Sequence, residues 1–217
     1  MGVITAPRLP KPAPMAYRAR MAATKTTPGQ ITRDKLIDAA FRAVARDGLA
    51  DTNVKSIAAE AGVNPGLLHY HFASKDALLE AAVESATARY MAEIDALIAA
   101  TPRAELFDAY VRFAAETLEA NRDLFRVRLS LGVRAMNDAG LAAQLEVANE
   151  AIRDRLAMVF AAGAGRDVVK DRDRLRARMT KAGFEGMMLS WLTQPDFPMH
   201  AALAEWAAGM RAGLGED

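Results

Sequence analysis

The sequence predicts an all-α protein in which three short N-terminal helices precede a larger helical region. Apolar residues recur at three- and four-residue spacing through most of the 217 residues, which is the period of a helix with one buried face. β-type alternation is absent, and Gly48, Gly62, Pro102 and Pro195 interrupt the helical runs. A chain of this length can bury one small and one larger helical core.

Residues 1–30 contain five prolines, no acidic residue and no helical period, which predicts disorder. Their charge is +5, against 0 for residues 31–76 and −4 for residues 77–217, and this asymmetry suggests an anionic partner at the N-terminal end. A basic arm of this kind can lie along DNA phosphates or in the minor groove. Alternatively, part of it is an over-extended translation start or a transit peptide.

The first helix is predicted between Thr32, a suitable N-cap, and Gly48, a natural C′ residue. Its buried face is formed by apolar residues at helical spacing: Leu36, Ile37, Ala40, Phe41 and Val44.

Residues 54–75, VKSIAAEAGVNPGLLHYHFASK, contain the most informative pattern of the chain. Apolar residues at 54, 57, 58 and 61 predict a short helix, which Gly62 can end because it tolerates positive φ. Asn64 is a good N-cap, and Pro65 suits the first position of a second helix. Leu68 and Phe72, four residues apart, anchor that helix on the core. The layout predicts a helix-turn-helix whose second helix enters a groove of DNA.

Residues 31–79 resemble the DNA-binding domain of TetR-family transcriptional repressors. The resemblance rests on L-I-D-A-A-F, the pair Asp47-Gly48, T-N-V-K-S-I-A-A-E-A-G-V, G-L-L-H-Y-H-F and S-K-D-A-L-L, in this order. It implies an N-terminal helix-turn-helix DNA-binding domain over residues 31–76 and a helical ligand-binding and dimerisation domain over residues 77–217. The later two-thirds of the chain matches only as an all-helical continuation.

The resemblance also implies a set of DNA contacts at the start and middle of the second helix and on its neighbours. These are Asn53, Lys55, Asn64, Pro65, Gly66, Leu67, His69, Tyr70 and Lys75. Leu67 and His69 depart from the Thr and Tyr of the usual family pattern, so specificity is expected to rest on apolar contacts, backbone groups and DNA shape. For His71, packing between helices is the favoured interpretation.

The larger region is predicted to contain helices over residues 75–100, 104–121, 122–136, 141–163 and 174–193, with a last helix ending near residue 214. In the family the ligand pocket lies within this bundle. By helical face, its candidate lining residues are Phe107, Tyr110, Phe125, Leu129, Met136, Phe184, Met188 and Trp191. Such a wall suits a hydrophobic or amphipathic molecule, although each residue taken singly can equally be core. Arg128 can pair with a ligand carboxylate or lie on a solvated face.

The last two helices pair with their symmetry mates in this family, and small residues at one per turn would permit a close approach. The predicted homodimer interface comprises Ala182, Gly183, Gly186, Ser190, Leu203, Trp206 and Met210. Packing within one chain is the alternative.

Other classes of function lack support in the sequence. There is no cysteine, no long apolar run, no glycine-rich phosphate loop and no nucleophile elbow, so neither a membrane span nor an enzyme is predicted. His69 and His71 point about 200° apart on a helix, which argues against a shared metal ion. No cofactor or metal is expected.

The sequence therefore predicts a cytoplasmic, ligand-responsive transcriptional regulator, most simply a repressor. It would bind a palindromic double-stranded DNA operator as a homodimer and be released by a small hydrophobic or amphipathic effector. The alternative is a helical small-molecule-binding protein on the same scaffold that does not read DNA.

Overall fold

The computed structural model describes residues 27–215, which form nine α-helices and two 3₁₀ turns and contain no strand. The predicted all-α fold is confirmed. The helices are α1 Pro28–Asp51, α2 Val54–Ala61, α3 Pro65–His71, α4 Lys75–Ala100, α5 Leu106–Glu116, α6 Arg122–Ala135, α7 Ala139–Gly163, α8 Asp171–Thr193 and α9 Met199–Ala212. The 3₁₀ turns are Arg103–Glu105 and Gly213–Gly215. We call α1–α3 the head and α4–α9 the body.

Helix α1 begins five residues earlier than the sequence predicted. Its N-cap is Thr27 rather than Thr32, and Thr27 forms a capping box with Gln30 while Pro28 occupies the first turn. The last residues of the predicted disordered arm, 28–30, are therefore helical. The rest of that arm, up to residue 26, lies outside the described residues.

Gly48 ends the regular part of α1, as its position in the sequence predicted. Its φ of 83° lies in the region that favours glycine, and the backbone bends there. Thr52, which is buried, closes the bend because its Oγ1 donates to the Gly48 carbonyl at 2.6 Å. This turn brings α2 back against α1.

The head has a close-packed apolar core. Leu36, Ala40, Ile57 and Leu68 are all fully buried in it, and Phe72 at the end of α3 is 6% exposed. The same core continues into the body through the side chains Leu78, Leu79, Val127, Leu131 and Leu141. Head and body thus share one hydrophobic cluster.

The body is a bundle of six helices around three further apolar clusters. The single helix predicted over residues 104–121 is wrong, because α5 ends at Glu116. Thr117 Oγ1 donates to the Phe113 carbonyl at 2.8 Å and Asn121 Nδ2 donates to the Thr117 carbonyl at 3.0 Å. These side chains bond to carbonyls in a tight turn, which lets α6 fold back across the bundle.

Candidate DNA-binding surface, ligand cavity and interface helices

The two helices of the predicted helix-turn-helix form as the sequence indicates. Asn53 caps α2, since its side chain accepts from the Ser56 N–H at 3.0 Å. Gly62 has a φ of 67° and ends α2, and Asn64 caps α3 by accepting from the Gly66 N–H at 2.9 Å. Buried Leu68 then fixes the rotation of α3, so the opposite face of that helix is presented outward.

Eight of the nine predicted DNA contacts lie on the exposed surface of the head. The eight are Asn53, Lys55, Asn64, Pro65, Gly66, Leu67, His69 and Tyr70. Tyr70 is 80% exposed and Leu67 is 39% exposed, so both side chains are accessible on the outer face of α3. His71 is only half-buried, and its ring lies edge-on to Tyr70 with the centroids 5.0 Å apart.

Lys75 differs from the other eight residues. It is half-buried, and its Nζ donates to the Thr52 carbonyl at 2.9 Å. This bond ties the first turn of α4 to the connection between α1 and α2. The ammonium therefore helps to hold α2 and α4 together, whatever else it contacts.

Two of the three arginines of α1 pair with carboxylates within the head. Arg42 and Arg46 both pair with Glu60 of α2, at 3.0 and 2.9 Å, and Arg46 also pairs with Asp47. Hydrogen bonds from Arg42 and Arg46 lower the pKa of Glu60. These cations join α1 to α2, and α3 itself has no Lys or Arg, so the outward face of α3 is largely uncharged.

A cavity of about 80 Å³ lies inside the body, mainly between α5, α6 and α8. Five of the eight residues predicted for a ligand pocket line it: Tyr110, Phe125, Leu129, Phe184 and Met188. The other three lie elsewhere. Phe107 packs against Phe160 in a separate cluster, and Met136 is 81% exposed. Trp191 stacks with Arg122, whose Cζ lies 4.4 Å from the centroid of the indole ring.

Polar groups also face this cavity, and among them only Tyr110 was predicted from the sequence to do so. Burial raises the pKa of Tyr90 well above its ordinary value and that of Tyr110 to about 12, so both hydroxyls stay protonated. Thr87, Thr180 and Trp206 contribute to the same wall. Apart from Tyr110, these residues come from α4, α8 and α9, which are far apart in the sequence, so no local pattern showed that they meet at one cavity.

A second, open groove of about 510 Å³ lies between α4 and α7. It meets the cavity at Thr87 and Arg128, which line both spaces. Arg128 Nη1 donates to Thr87 Oγ1 at 3.2 Å, and Nη2 donates to Asn149 Oδ1 at 2.8 Å. The guanidinium therefore forms the partition between the cavity and the groove.

The predicted interface residues on α8 point outward, except for Ser190, which is half-buried. A Cβ added at Gly183 or Gly186 would meet no atom within 4 Å, so this side of α8 is open. The large apolar residues Leu175, Met179 and Leu189 on the same helix are 57%, 55% and 55% exposed. Helix α8 thus has an exposed face of small and apolar residues.

The predicted interface residues on α9 face inward instead. Leu203 is 3% exposed, and Trp206 and Met210 pack onto the clusters of their own chain. The outward face of α9 carries small residues, namely Ala201, Ala204, Ala208 and Gly209. The core of the bundle contains Leu203 and part of the side chains of Trp206 and Met210, so the fully exposed surface of α9 is formed mainly by its small residues. The homodimer interface stays a prediction.

Among residues 27–215, no group of three or more acidic or histidine side chains could hold a metal ion. Within the same range, every helix is too short or too polar to cross a membrane.

The geometry of α2 and α3 defines a helix-turn-helix protein of bacterial regulatory type. A family model for bacterial regulatory proteins of the tetR family matches residues 36–82. The HTH-type transcriptional regulator BetI of Stenotrophomonas maltophilia is 31% identical over 166 residues, covering 73% of this chain and 80% of that protein. The chain therefore belongs to the TetR family.

Other similar proteins agree with this assignment. BetI of Brucella anthropi is 36% identical over 99 residues, 42% of this chain, so the match spans half, 50%, of that regulator. A transcriptional regulator from Rhodococcus sp. Rha1 has the same fold, with a TM-score of 0.69 and 23% identity over 83% of this chain and 96% of its own. The multidrug binding protein EbrR, solved as a complex with proflavin, aligns with a TM-score of 0.55 and 26% identity over 82% of this chain and 99% of its own.

Proposed function

We propose that this protein is a ligand-responsive, DNA-binding transcriptional regulator that acts as a homodimeric repressor on a palindromic operator. The observation that carries the proposal is the helix-turn-helix of α2 and α3, which exposes the outer face of α3 to solvent on a head that shares its core with the cavity helix α6. Family membership supports the DNA-binding part. The repressor role, the operator and the effector belong to the proposal.

DNA reading is assigned to the exposed face of α3 and its flanks. Leu67 is placed to contact a thymine methyl group, and the Tyr70 hydroxyl can donate to a phosphate. Lys55 at the start of α2 neutralises a phosphate. Asn53 and Asn64 use their side chains as helix caps, so their contribution to DNA binding comes from the backbone amides that they position.

Helix α6 is the proposed connection between ligand and DNA. Phe125 and Leu129 face the cavity, whereas Val127 and Leu131 lie in the core shared with the head. Arg126 Nη1 also donates to the Ala45 carbonyl of α1 at 2.8 Å. A ligand that favours one position of α6 would therefore bias the orientation of the head, provided that its affinity differs between the two conformations.

Dimerisation is assigned to the exposed face of α8 and the small-residue face of α9. Two copies packed through these faces would place two heads on one operator, as half-sites of a palindrome require. The proposed DNA-binding domain comprises residues 31–76, which include most of α1 and all of α2 and α3. The proposed ligand-binding and dimerisation domain comprises residues 77–217.

The DNA-binding proposal is tested by selecting random-sequence duplexes with the purified protein. The expected result is enrichment of a two-fold symmetric site. Tyr70→Ala should weaken binding to that site about two- to tenfold, the effect of one lost hydrogen bond. Met136→Ala is a matched control, because Met136 is equally exposed, at 81%, but lies on the body.

Failure to enrich any sequence would contradict the proposal. It would favour the alternative of a small-molecule-binding protein on this scaffold, which the absence of Lys and Arg from α3 makes worth testing.

The dimer proposal is tested with Gly186→Arg, measured by size-exclusion chromatography with light scattering. A long cation on the α8 face should convert the dimer to a monomer. Gly132→Arg is the control, since Gly132 is also a helical glycine with no atom within 4 Å of an added Cβ, but it lies on α6. If the protein remains a dimer after Gly186→Arg, this face of α8 is not the dimer interface.

A further inference from the structure

Arg128 is a half-buried cation between the cavity and the groove of the body, and its hydrogen-bond partners in the described residues are neutral. Its guanidinium bonds to the Thr87 hydroxyl and the Asn149 amide, and it forms no ion pair within the described part of the chain. Desolvation lowers the pKa of Arg128 below its ordinary value, and the charge of Glu185 acts in the opposite direction. Cations in such positions are usually paired with a carboxylate, because burial without one is costly.

The other charges at the cavity do not supply that carboxylate. Lys181 and Glu185, which also line the cavity, form an ion pair with each other. The cavity wall thus carries two cations and one anion, leaving one positive charge without a local counterpart. Glu80 and Glu84 line only the outer groove, on the far side of Arg128.

Thr180 supplies a second polar group in the cavity wall. Thr180 Oγ1 is buried at the cavity and makes no hydrogen bond within the described residues. The remaining surface is apolar and aromatic, with Phe125, Phe184, Met187 and Met188. A ligand that satisfies this wall has an apolar body and one acceptor group.

The space accommodates such a molecule only with some adjustment. A cavity of about 80 Å³ receives a short apolar group as it stands. Met187 and Met188 are flexible enough to enlarge it, and the groove of about 510 Å³ continues beyond Arg128. A chain of several carbons can therefore lie in the cavity while its head group stays at the partition.

Aromatic walls also suit organic cations through cation–π attraction, so the sign of the ligand charge has to be decided. A cation in this cavity would lie close to Arg128 and Lys181 without gaining a carboxylate, because Glu185 is already paired with Lys181. The positive balance of the cavity favours an anion.

We infer that the effector of the proposed regulator is an amphipathic anion, a carboxylate with an apolar chain, whose oxygens bind Arg128 while the chain occupies the cavity. This inference rests on the proposed function only in that it assigns the ligand a regulatory role. The binding site itself is defined by the cavity, Arg128 and Thr180.

Three probes with the same eight-carbon chain test the sign of the charge: octanoate, octanol and octyltrimethylammonium. Binding is measured on the full-length protein without DNA, by calorimetry and by tryptophan fluorescence. The fluorescence is informative because the chain has only two tryptophans, 191 and 206, and Trp206 lines the cavity. Octanoate should bind at least about tenfold more tightly than either of the others, as expected for a charge-assisted pair.

Substitutions then test whether the carboxylate of octanoate binds Arg128. Arg128→Met should weaken octanoate about ten- to a hundredfold and leave octanol unchanged within about twofold. Arg112→Met is the matched control, because Arg112 is an exposed arginine of the neighbouring α5 and does not line the cavity. Arg128→Lys retains the charge and should preserve most of the octanoate preference.

The outcomes separate this inference from the proposed function. Octanol or octyltrimethylammonium binding as tightly as octanoate to the wild-type protein would overturn the inference, and this comparison does not depend on how any variant folds. Equal weakening of all three probes by Arg128→Met would also overturn it and leave Arg128 as a structural tie between helices. If octanoate binds through Arg128 but no DNA is selected, the ligand class stands and the regulatory function fails.

Discussion

The head and the body are both helical, but they differ in how completely their helices are capped and how closely their cores are packed. In the head, every helix has a side-chain cap, from Thr27, Asn53 and Asn64, and the core is close-packed. In the body, α5, α6 and α9 lack a side-chain cap, a cavity remains open, and Thr180 Oγ1 has no partner in the described residues. A rigid head suits a surface that must match DNA, whereas an incompletely packed body can change shape around a ligand.

The difference predicts that the body is the acid-sensitive part of the molecule. Asp173 at the start of α8 is fully buried and accepts hydrogen bonds from Arg166 at 2.6 and 2.8 Å and from the Lys170 N–H at 2.8 Å. Asp173→Asn should lower the free energy of unfolding by about 3–5 kcal/mol at pH 7, because it breaks a buried pair. Asp171→Asn, an exposed neighbour, is the control.

The pH dependence of this effect has a definite sign. Desolvation acts to raise the pKa of Asp173, but the bonds from Arg166 and Lys170 outweigh it, so the pKa lies below the ordinary 3.8. The stabilisation is therefore present above the unfolded-state pKa and is lost as the pH falls through the folded-state pKa. Urea denaturation of wild type and Asp173→Asn should converge in strongly acidic solution. A difference that stays constant with pH would contradict the ion-pair assignment.

Neighbouring leucines of α3 separate stability from DNA reading. Leu68→Ala should cost about 2–5 kcal/mol, since Leu68 is fully buried in the shared core. Leu67→Ala should change stability by less than about 0.5 kcal/mol but weaken DNA binding.

Because the core of the head includes Val127 and Leu131, circular dichroism and tryptophan fluorescence should report one unfolding transition. Two separate transitions would show that head and body are independent.

The same substitution in the two regions should have different consequences. Ala40→Val in the head should cost about 1–3 kcal/mol, because Ala40 is fully buried in the shared core and lines neither the cavity nor the groove. Ala114→Val adds the same atoms to the wall of the cavity and should be neutral or stabilising by up to about 1 kcal/mol. Thermal unfolding of the two variants measures the contrast. Equal destabilisation would mean that the cavity is not an adaptable space.

The smallest effect is expected at an exposed ion pair between α4 and α6 of the body. Asp76 of α4 accepts two hydrogen bonds from Arg134 of α6, at 2.7 and 3.0 Å, and these lower the pKa of Asp76. Both side chains are more than a third exposed, so Asp76→Asn should cost no more than about 1 kcal/mol. A double-mutant cycle with Arg134→Gln measures the coupling energy between the two side chains, and a value indistinguishable from zero would show that this pair does not help to hold α4 against α6.

The sequence by itself predicted the head nearly completely, because its structure depends on local chemistry. Gly48 and Gly62 adopt the positive φ that their positions implied, and Asn64 and Pro65 begin α3 as their types favour. The one error, the start of α1, arose because Thr27 and Pro28 fall next to a proline-rich segment that was assigned to disorder as a whole.

Only the tertiary structure decided the rest. Helical spacing showed that Trp206, Met210 and Phe107 lie on apolar faces, but it did not show whether those faces meet their own bundle, a cavity or another chain. The hydrogen bonds of Arg128 join residues 41 and 21 positions apart in the sequence. The physical reason is that caps and turns are fixed by neighbours within a few residues, whereas cavities and pairings depend on how distant helices pack.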